Sequence, residues 1–208
     1  MTSERGAGRG DGLELPAMMP MEQRLFAQPW PDGEFRFFQL GFVVGDLLSA
    51  AARWARVYAV GPFHVLPPVE VPCTYRGRES GIAMQIAVAQ AGPVQIELIE
   101  QQCDRPSVFR DLFAKSQSGF HQLCTVAPDY EGKKAHFLDL GYELASEIIA
   151  NGSRVAYFDT RDDFGFFTEV VDDAPGFLEQ LGKIAQTCAE WDGTDPVRLL
   201  TRDGYRTP

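Results

Sequence analysis

The octet Gln39-Leu40-Gly41-Phe42-Val43-Val44-Gly45-Asp46 returns later in the chain as Gln122-Leu123-Cys124-Thr125-Val126-Ala127-Pro128-Asp129. Gln, Leu, Val and Asp match at identical spacing. Each copy is an apolar, β-prone run that ends at an Asp, a favoured helix N-cap, and a helix-like stretch follows. Such a repeat predicts one small supersecondary motif used twice around a shared core. Packed back to back, the two copies would place Gln39 and Gln122 as equivalents around a common cleft.

The rest of the pattern fits that reading. Residues 1–33 are rich in Gly, Pro, Arg and Met and lack a period, which predicts a mobile N-terminal arm with one short anchored piece around Leu25 and Phe26. A first module spans 34–104: a strand over 37–44, a helix capped by Asp46 and stopped by Gly61, extended segments over 63–66 and 69–75, then a hairpin of 82–89 and 94–100. Residues 105–118 are a linker helix with Ser107 as its cap. A second module, 119–173, repeats the order: a strand over 120–126, a helix from Asp129 to a stop at Gly141, then strands over 143–149, 154–160 and 165–171, with a turn at Asn151-Gly152. Residues 174–208 form a C-terminal helix with an apolar stripe, ended by Gly193, and a loosely ordered tail after Pro196. The fold class is α+β, with tandem βαβββ modules.

Bulk numbers narrow the function. A net charge of −10 argues against nucleic-acid and anionic membrane partners, since phosphate binding needs a basic face. No apolar run approaches the roughly 20 residues that span a bilayer. Cys73, Cys103, Cys124 and Cys188 are scattered without a C-x-x-C pair, so the expectation is a reduced, cytoplasmic protein. Histidine is scarce: His64, His121 and His136 are the full set.

The stretches FFQLGFVVGDL, VQIELIE, GFHQLC and RVAYFDTRDDFGFFTEVV, in this order, resemble the glyoxalase or vicinal oxygen chelate (VOC) superfamily, and the last two are similar to methylmalonyl-CoA epimerases and glyoxalase-like proteins. The resemblance covers residues 35–173. It implies that each module folds into a half-open cup and that four inward side chains, here Gln39, Glu97, Gln122 and Glu169, surround the site. In the family such a quartet holds a divalent metal that polarises a carbonyl. The family commonly has histidine at the positions of Gln39 and Gln122. The all-oxygen set here suits a cation such as Mg or Mn better than zinc. A second reading has the glutamines hydrogen-bond the glutamates in a polar cleft with no metal. His121 lies one residue off and should face away from the cleft unless a β-bulge shifts the register.

Two inward glutamates in an apolar cup suit proton transfer, because desolvation and mutual repulsion separate their pKa values. The expectation is an isomerase, epimerase or lyase that moves a proton next to a carbonyl, with Glu97 and Glu169 as catalytic pair. The alternative is a non-catalytic small-molecule-binding protein of the resistance or sequestration type. Gln39, Gln122, Gln95, Tyr157 and His64 are candidate substrate-binding residues, although a strand Tyr is more often packing and a lone His more often inert. Arg161-Asp162-Asp163 reads as a solvated turn. The group Phe35, Phe37, Phe38, Phe120, Phe166 and Phe167 reads mainly as core; any part lining a pocket would favour a fairly apolar substrate. A homodimer is expected, with the C-terminal helix and Trp191 as its candidate interface.

Overall fold

The structure, a computed structural model, describes residues 36–150 and 152–208. The N-terminal arm expected over 1–33 and Asn151 of the expected turn lie outside the described residues. The elements in chain order are β1 (Arg36–Val43), α1 (Leu47–Tyr58), β2 (Phe63–Val65), β3 (Val69–Tyr75), β4 (Arg78–Ala91), β5 (Val94–Gln101), α2 (Val108–Leu112), β6 (Gly119–Ala127), α3 (Tyr130–Asp139), β7 (Glu143–Ala150), β8 (Ser153–Asp159), α4 (Arg161–Phe164), β9 (Phe167–Asp172), α5 (Phe177–Ala189), β10 (Val197–Thr201) and β11 (Gly204–Arg206).

The repeat begins each half in the same way. Asp46 accepts from the Ser49 N–H at the start of α1, and Asp129 accepts from the Gly132 N–H at the start of α3. Each cap satisfies a backbone donor that the helix cannot. Leu47, Ala51 and Ala55, four residues apart, bury one stripe of α1. Gly141, with φ of 89°, follows α3 as expected. The stop of α1 differs from the expectation: Ala59, at φ 53°, forms its left-handed cap, ahead of Gly61. The linker helix is shorter than the sequence suggests, one five-residue turn held by Ser107.

Pairing follows the duplication. In each half the first strand lies parallel to the last, β1 with β5 and β6 with β9, and the middle strands run antiparallel. The halves join twice, β1 against β6 and β3 against β7. With β4 paired to both β3 and β5, eight strands close into a ring inside a single chain. Three apolar layers result. Leu47, Ala51, Phe63 and Leu98 pack between α1 and the first half. Tyr130, Phe137, Phe158 and Val170 do the same for α3 and the second half. Val43, Ile82, Ile99, Phe109, Tyr157 and Phe167 fill the interior between them.

One segment corrects the sequence reading. The expected tail is a hairpin: β10 lies parallel to β2 and β11 folds back on β10. Its β10 is only five residues long and gains a partner from a distant strand; the local signal is the Asp203-Gly204 pair, with Gly204 at φ 110° closing the turn. The Arg161-Asp162-Asp163 run is solvated as expected, with Asp162 and Asp163 exposed, and is wound as the short helix α4. Arg161 pairs with Asp159 at 2.6 Å and lies 4.8 Å over the Phe167 ring.

Candidate active site

Alternation along the strands decides which side chains meet. Gln39 and Gly41 on β1, Gln95 and Glu97 on β5, Gln122 and Cys124 on β6, Tyr157 on β8 and Glu169 on β9 are all buried. Three of the four expected inward residues come together. Gln122 bridges the two glutamates, its Nε2 lying 3.1 Å from Glu97 Oε2 and 3.2 Å from Glu169 Oε2. Tyr157 donates to Glu169 Oε1 at 3.3 Å, so the late-strand tyrosine does reach the site. Gln39 does not join the bridge. Its Nε2 donates to Gln95 Oε1 at 2.7 Å, which makes a separate amide pair on the first half. His64 lies on β2 with both ring nitrogens unpartnered, away from the bridge.

His121 enters by the bulge that the sequence left open. Gly41 pairs with Gln122 and Phe42 with Phe120, which leaves His121 as the extra residue on β6. Its Nδ1 meets Gln122 Oε1 and its Nε2 meets the Val108 carbonyl oxygen at 3.0 Å. The ring stacks on Phe167 at 4.9 Å. Gly41 makes room for this: a Cβ there would lie 2.2 Å from the Gln122 amide. The missing side chain at position 41 was the available signal, but it has meaning only once β1 is paired with β6. Phe167 thus reaches the site through His121, while Phe120 and Phe166 pack on each other at 5.2 Å.

The bridge also fixes a proton. Oxygen atoms facing both nitrogens of His121 would require an imidazolium beside two ionised carboxyls. Turning the Gln122 amide over gives a second pairing with the same number of protons. The neutral ring then donates Nε2–H to Val108 and accepts from Gln122 at Nδ1, while Gln122 Oε1 accepts from a protonated glutamate. Burial decides between the two. It drives His121 down to about 4 and raises Glu97 well above its ordinary value, with the charge of Glu169 adding to the rise. Glu169 is raised to about 7 by burial, against the hydrogen bonds of Cys124, Gln122 and Tyr157, which pull it back. The proton therefore resides on the carboxyl pair, and Glu169, to which Cys124 and Tyr157 donate whichever way the amide is turned, is the member suited to ionisation.

The same geometry tests the implied cation. Gln39 is turned to Gln95, and Gln122 is held by His121, so the four-oxygen quartet does not assemble around one centre. Among the described residues no group of three or more His, Cys, Asp or Glu side chains is placed to hold a metal ion. The residues in this arrangement do not fit a Mg or Mn site built from Gln39, Glu97, Gln122 and Glu169.

The family described as the Glyoxalase/Bleomycin resistance protein/Dioxygenase superfamily matches residues 38–157, more than half of the chain. Among solved structures, the methylmalonyl-CoA epimerase from Mycobacterium tuberculosis is similar at 18% identity and a TM-score of 0.50, over 74% of this chain and 99% of that one. A Streptomyces coelicolor methylmalonyl-CoA epimerase variant in complex with 2-nitronate-propionyl-CoA is similar at 18% identity and a TM-score of 0.47, over 67% and 98%. No curated protein matches the sequence. At these identities the solved structures speak to the fold alone. Among the described residues no helix is long and apolar enough to cross a membrane.

Proposed function

The chain belongs to the glyoxalase/bleomycin resistance protein/dioxygenase superfamily, and we propose that it is an isomerase, epimerase or lyase that moves a proton next to the carbonyl of a fairly apolar small molecule. The observation that carries this reading is the buried carboxyl pair, Glu97 and Glu169, joined through one amide, with both carboxyls pushed up by burial. Ionised Glu169 removes a proton from the carbon beside the carbonyl, and the electron pair of the broken C–H bond moves onto the carbonyl oxygen. Protonated Glu97 returns a proton from its own side of the site. Gln122 bridges the two groups, Cys124 and Tyr157 lower Glu169 alone, and His121 holds Gln122. The reading takes Gln39 and Gln95 as substrate-binding amides and supports catalysis by carboxyls without a cation from the quartet.

A panel of methyl ketones and 2-methyl-branched thioesters in deuterated buffer tests it. Wild-type protein should catalyse deuterium uptake at the carbon beside the carbonyl, and both Glu97→Gln and Glu169→Gln should abolish it. Uptake that survives both substitutions would sink the assignment.

A specific observation favours a second reading. Both carboxyls are buried and already hydrogen-bonded, as structural groups would be. A protein that sequesters its ligand would bind the same panel tightly, show no uptake, and keep its affinity in both variants. A homodimer is part of the first reading, with Leu178, 47% exposed on α5, at its interface; Trp191 packs within the chain against Gly61. Light scattering on the full chain tests this, and a monomer at working concentration would remove it.

A further inference from the structure

The hairpin of β10 and β11 widens the site face of the first half. Residues directly opposite each other on neighbouring strands share one face of a sheet. Gln122 lies opposite Gly41, Gly41 opposite Glu97, Glu97 opposite Val88, Val88 opposite His64, and His64 opposite Arg198. His64 therefore shares the face of the carboxyl pair, two strands from Glu97, which is about 10 Å at the usual strand spacing. Its neighbours Phe63 and Val65 point the other way, into the layer under α1.

Three features converge at His64. The side chain is 2% exposed, yet neither ring nitrogen has a hydrogen-bond partner. A buried polar group left unpaired is costly, so such a group in a folded protein calls for an occupant. Arg198 stands close enough for its charge to add to the effect of burial in holding His64 neutral, down to about 4. Its Nε donates to the Asp195 carbonyl at 3.3 Å, and its charge reaches Asp192, which it helps hold below the usual carboxylate range, without an ion pair within 4 Å among the described residues. The Tyr205 ring closes the third side, edge-on at 5.0 Å. Beside Glu97 on β5, Gln95 Nε2 is a further buried donor without a partner. A neutral imidazole N–H, an unpaired guanidinium and an amide N–H are all donors, and they await an acceptor.

We propose that His64 and Arg198, backed by Tyr205, form an oxyanion subsite that receives the carboxylate or phosphate end of an otherwise apolar carbonyl substrate. This rests on the proton-transfer reading for what lies at the other end, about 10 Å away at the carboxyl pair. Val88 lies between the two ends, opposite both His64 and Glu97. The first half of the molecule thereby selects acidic substrates, and the C-terminal hairpin supplies the selecting charge.

The test uses the full chain labelled with ¹³C and ¹⁵N in its histidines, with His64 signals assigned by their loss in His64→Gln. The probes are a medium-chain methyl-ketone carboxylic acid, its methyl ester, and the corresponding methyl-ketone alkyl phosphate. The acid or the phosphate should move the His64 signals and bind about tenfold or more tightly than the ester, a difference of about 1.4 kcal/mol. Whichever anion binds more tightly names the source of the oxyanion. Arg198→Gln should bring the anion-to-ester ratio close to one, and Arg198→Lys should restore part of it. An ester that binds as well as both anions, an unchanged ratio in Arg198→Gln, or His64 signals unmoved by all three probes overturns the subsite. Deuterium uptake beside the ketone, followed in the same samples, reads the carboxyl pair separately. An anion preference without uptake would sink the proton-transfer reading and leave the subsite standing.

Discussion

The two halves of the molecule share a strand order, a helix cap and a sequence repeat, yet they treat the same glutamine differently. In the second half Gln122 is held from both ends, by His121 on one side and by the glutamates on the other. Glu169 there also has Tyr157. In the first half Gln39 pairs with Gln95, and Gln95 Nε2 and both nitrogens of His64 lack partners. Among the described residues the second half leaves one buried side-chain polar atom without a partner, Thr125 Oγ1, and the first half leaves three, all nitrogens. A duplicated motif thus divides its labour: the better-satisfied half sets the protonation of a carboxyl pair, and the other is the one with more donors to offer a ligand. Position 41 shows how small the cause is. The residue equivalent to Gly41 is Cys124, and only a glycine leaves space for the Gln122 amide to cross into the other half.

The largest effect should therefore come from Gly41→Ala. Its Cβ would sit 2.2 Å from Gln122, which has no exposed space to retreat into. Expelling the amide separates the glutamates from His121. Displacements of about 1 Å at a reacting centre can cost roughly 100-fold in rate, and the unpaired groups would cost about 1–3 kcal/mol of stability. The counterpart Cys124→Gly leaves a small void and one hydrogen bond fewer at Glu169, with a loss of about 1 kcal/mol. Deuterium uptake and urea unfolding of the two variants would show the asymmetry. Equal losses would mean that the halves are equivalent after all.

Next in size is the pH dependence of stability in Glu97→Gln and Glu169→Gln. Both glutamates have folded-state pKa values raised above 4.5, Glu169 to about 7. Between those values the native state holds more protons than the unfolded chain, so their contribution to stability falls as pH rises across that window. His64 and His121, lowered to about 4, act in the opposite sense: their contribution falls as pH drops from 6.5 toward 4. Each glutamine variant should thus gain more over the wild type at about pH 8 than at about pH 5, by roughly 1–3 kcal/mol. Chemical unfolding at the two pH values measures it. A gain that does not depend on pH would show that the carboxyl pair carries no shared proton.

The same division explains what the sequence could show. The repeat, the Asp46 and Asp129 caps and the turn at Gly141 are local patterns, and they carried both modules into view with their strand order. The convergence of Glu97, Gln122 and Glu169 joins three strands far apart in the chain, so it was legible only by resemblance. The role of His121 depends on a bulge, and a bulge is fixed by pairing rather than by the residues within it. Gln39 looked equivalent to Gln122 because sequence symmetry says nothing about which neighbour an amide will choose. The hairpin of β10 and β11 was signalled only by Asp203-Gly204, because its strands are short and β10 gains its other partner from β2, more than half the chain away.

A third prediction concerns the join between the halves. Arg76, in the turn between β3 and β4, pairs with Asp111 at 2.7 Å and Asp159 at 2.9 Å, and also with Glu143. These partners lie on α2, β8 and β7, so a single side chain ties the first half to the linker and to the second half. The group is partly exposed, and solvent screens it. Arg76→Ala should cost about 1–2 kcal/mol in urea unfolding, with deuterium uptake per folded molecule unchanged. A rate loss larger than the stability loss would mean that the site senses the join.

The smallest effect belongs to Tyr157→Phe, and it separates the halves most cleanly. The 3.3 Å bond to Glu169 is long, and the ring keeps its packing against Phe109 at 5.7 Å without the hydroxyl. Stability should change by no more than about 1 kcal/mol. The hydroxyl favours the ionised form of Glu169, so its loss raises that pKa further. If Glu169 is the base, the rising limb of kcat/KM, placed near 7 by its pKa, should move to higher pH in Tyr157→Phe, with KM little changed. Gln95→Leu, in the other half, should do the reverse: it raises KM and leaves the limb in place, because Gln95 touches Gln39 and neither carboxyl. A limb that moves in Gln95→Leu as well would place both halves in one titrating network and remove the division of labour.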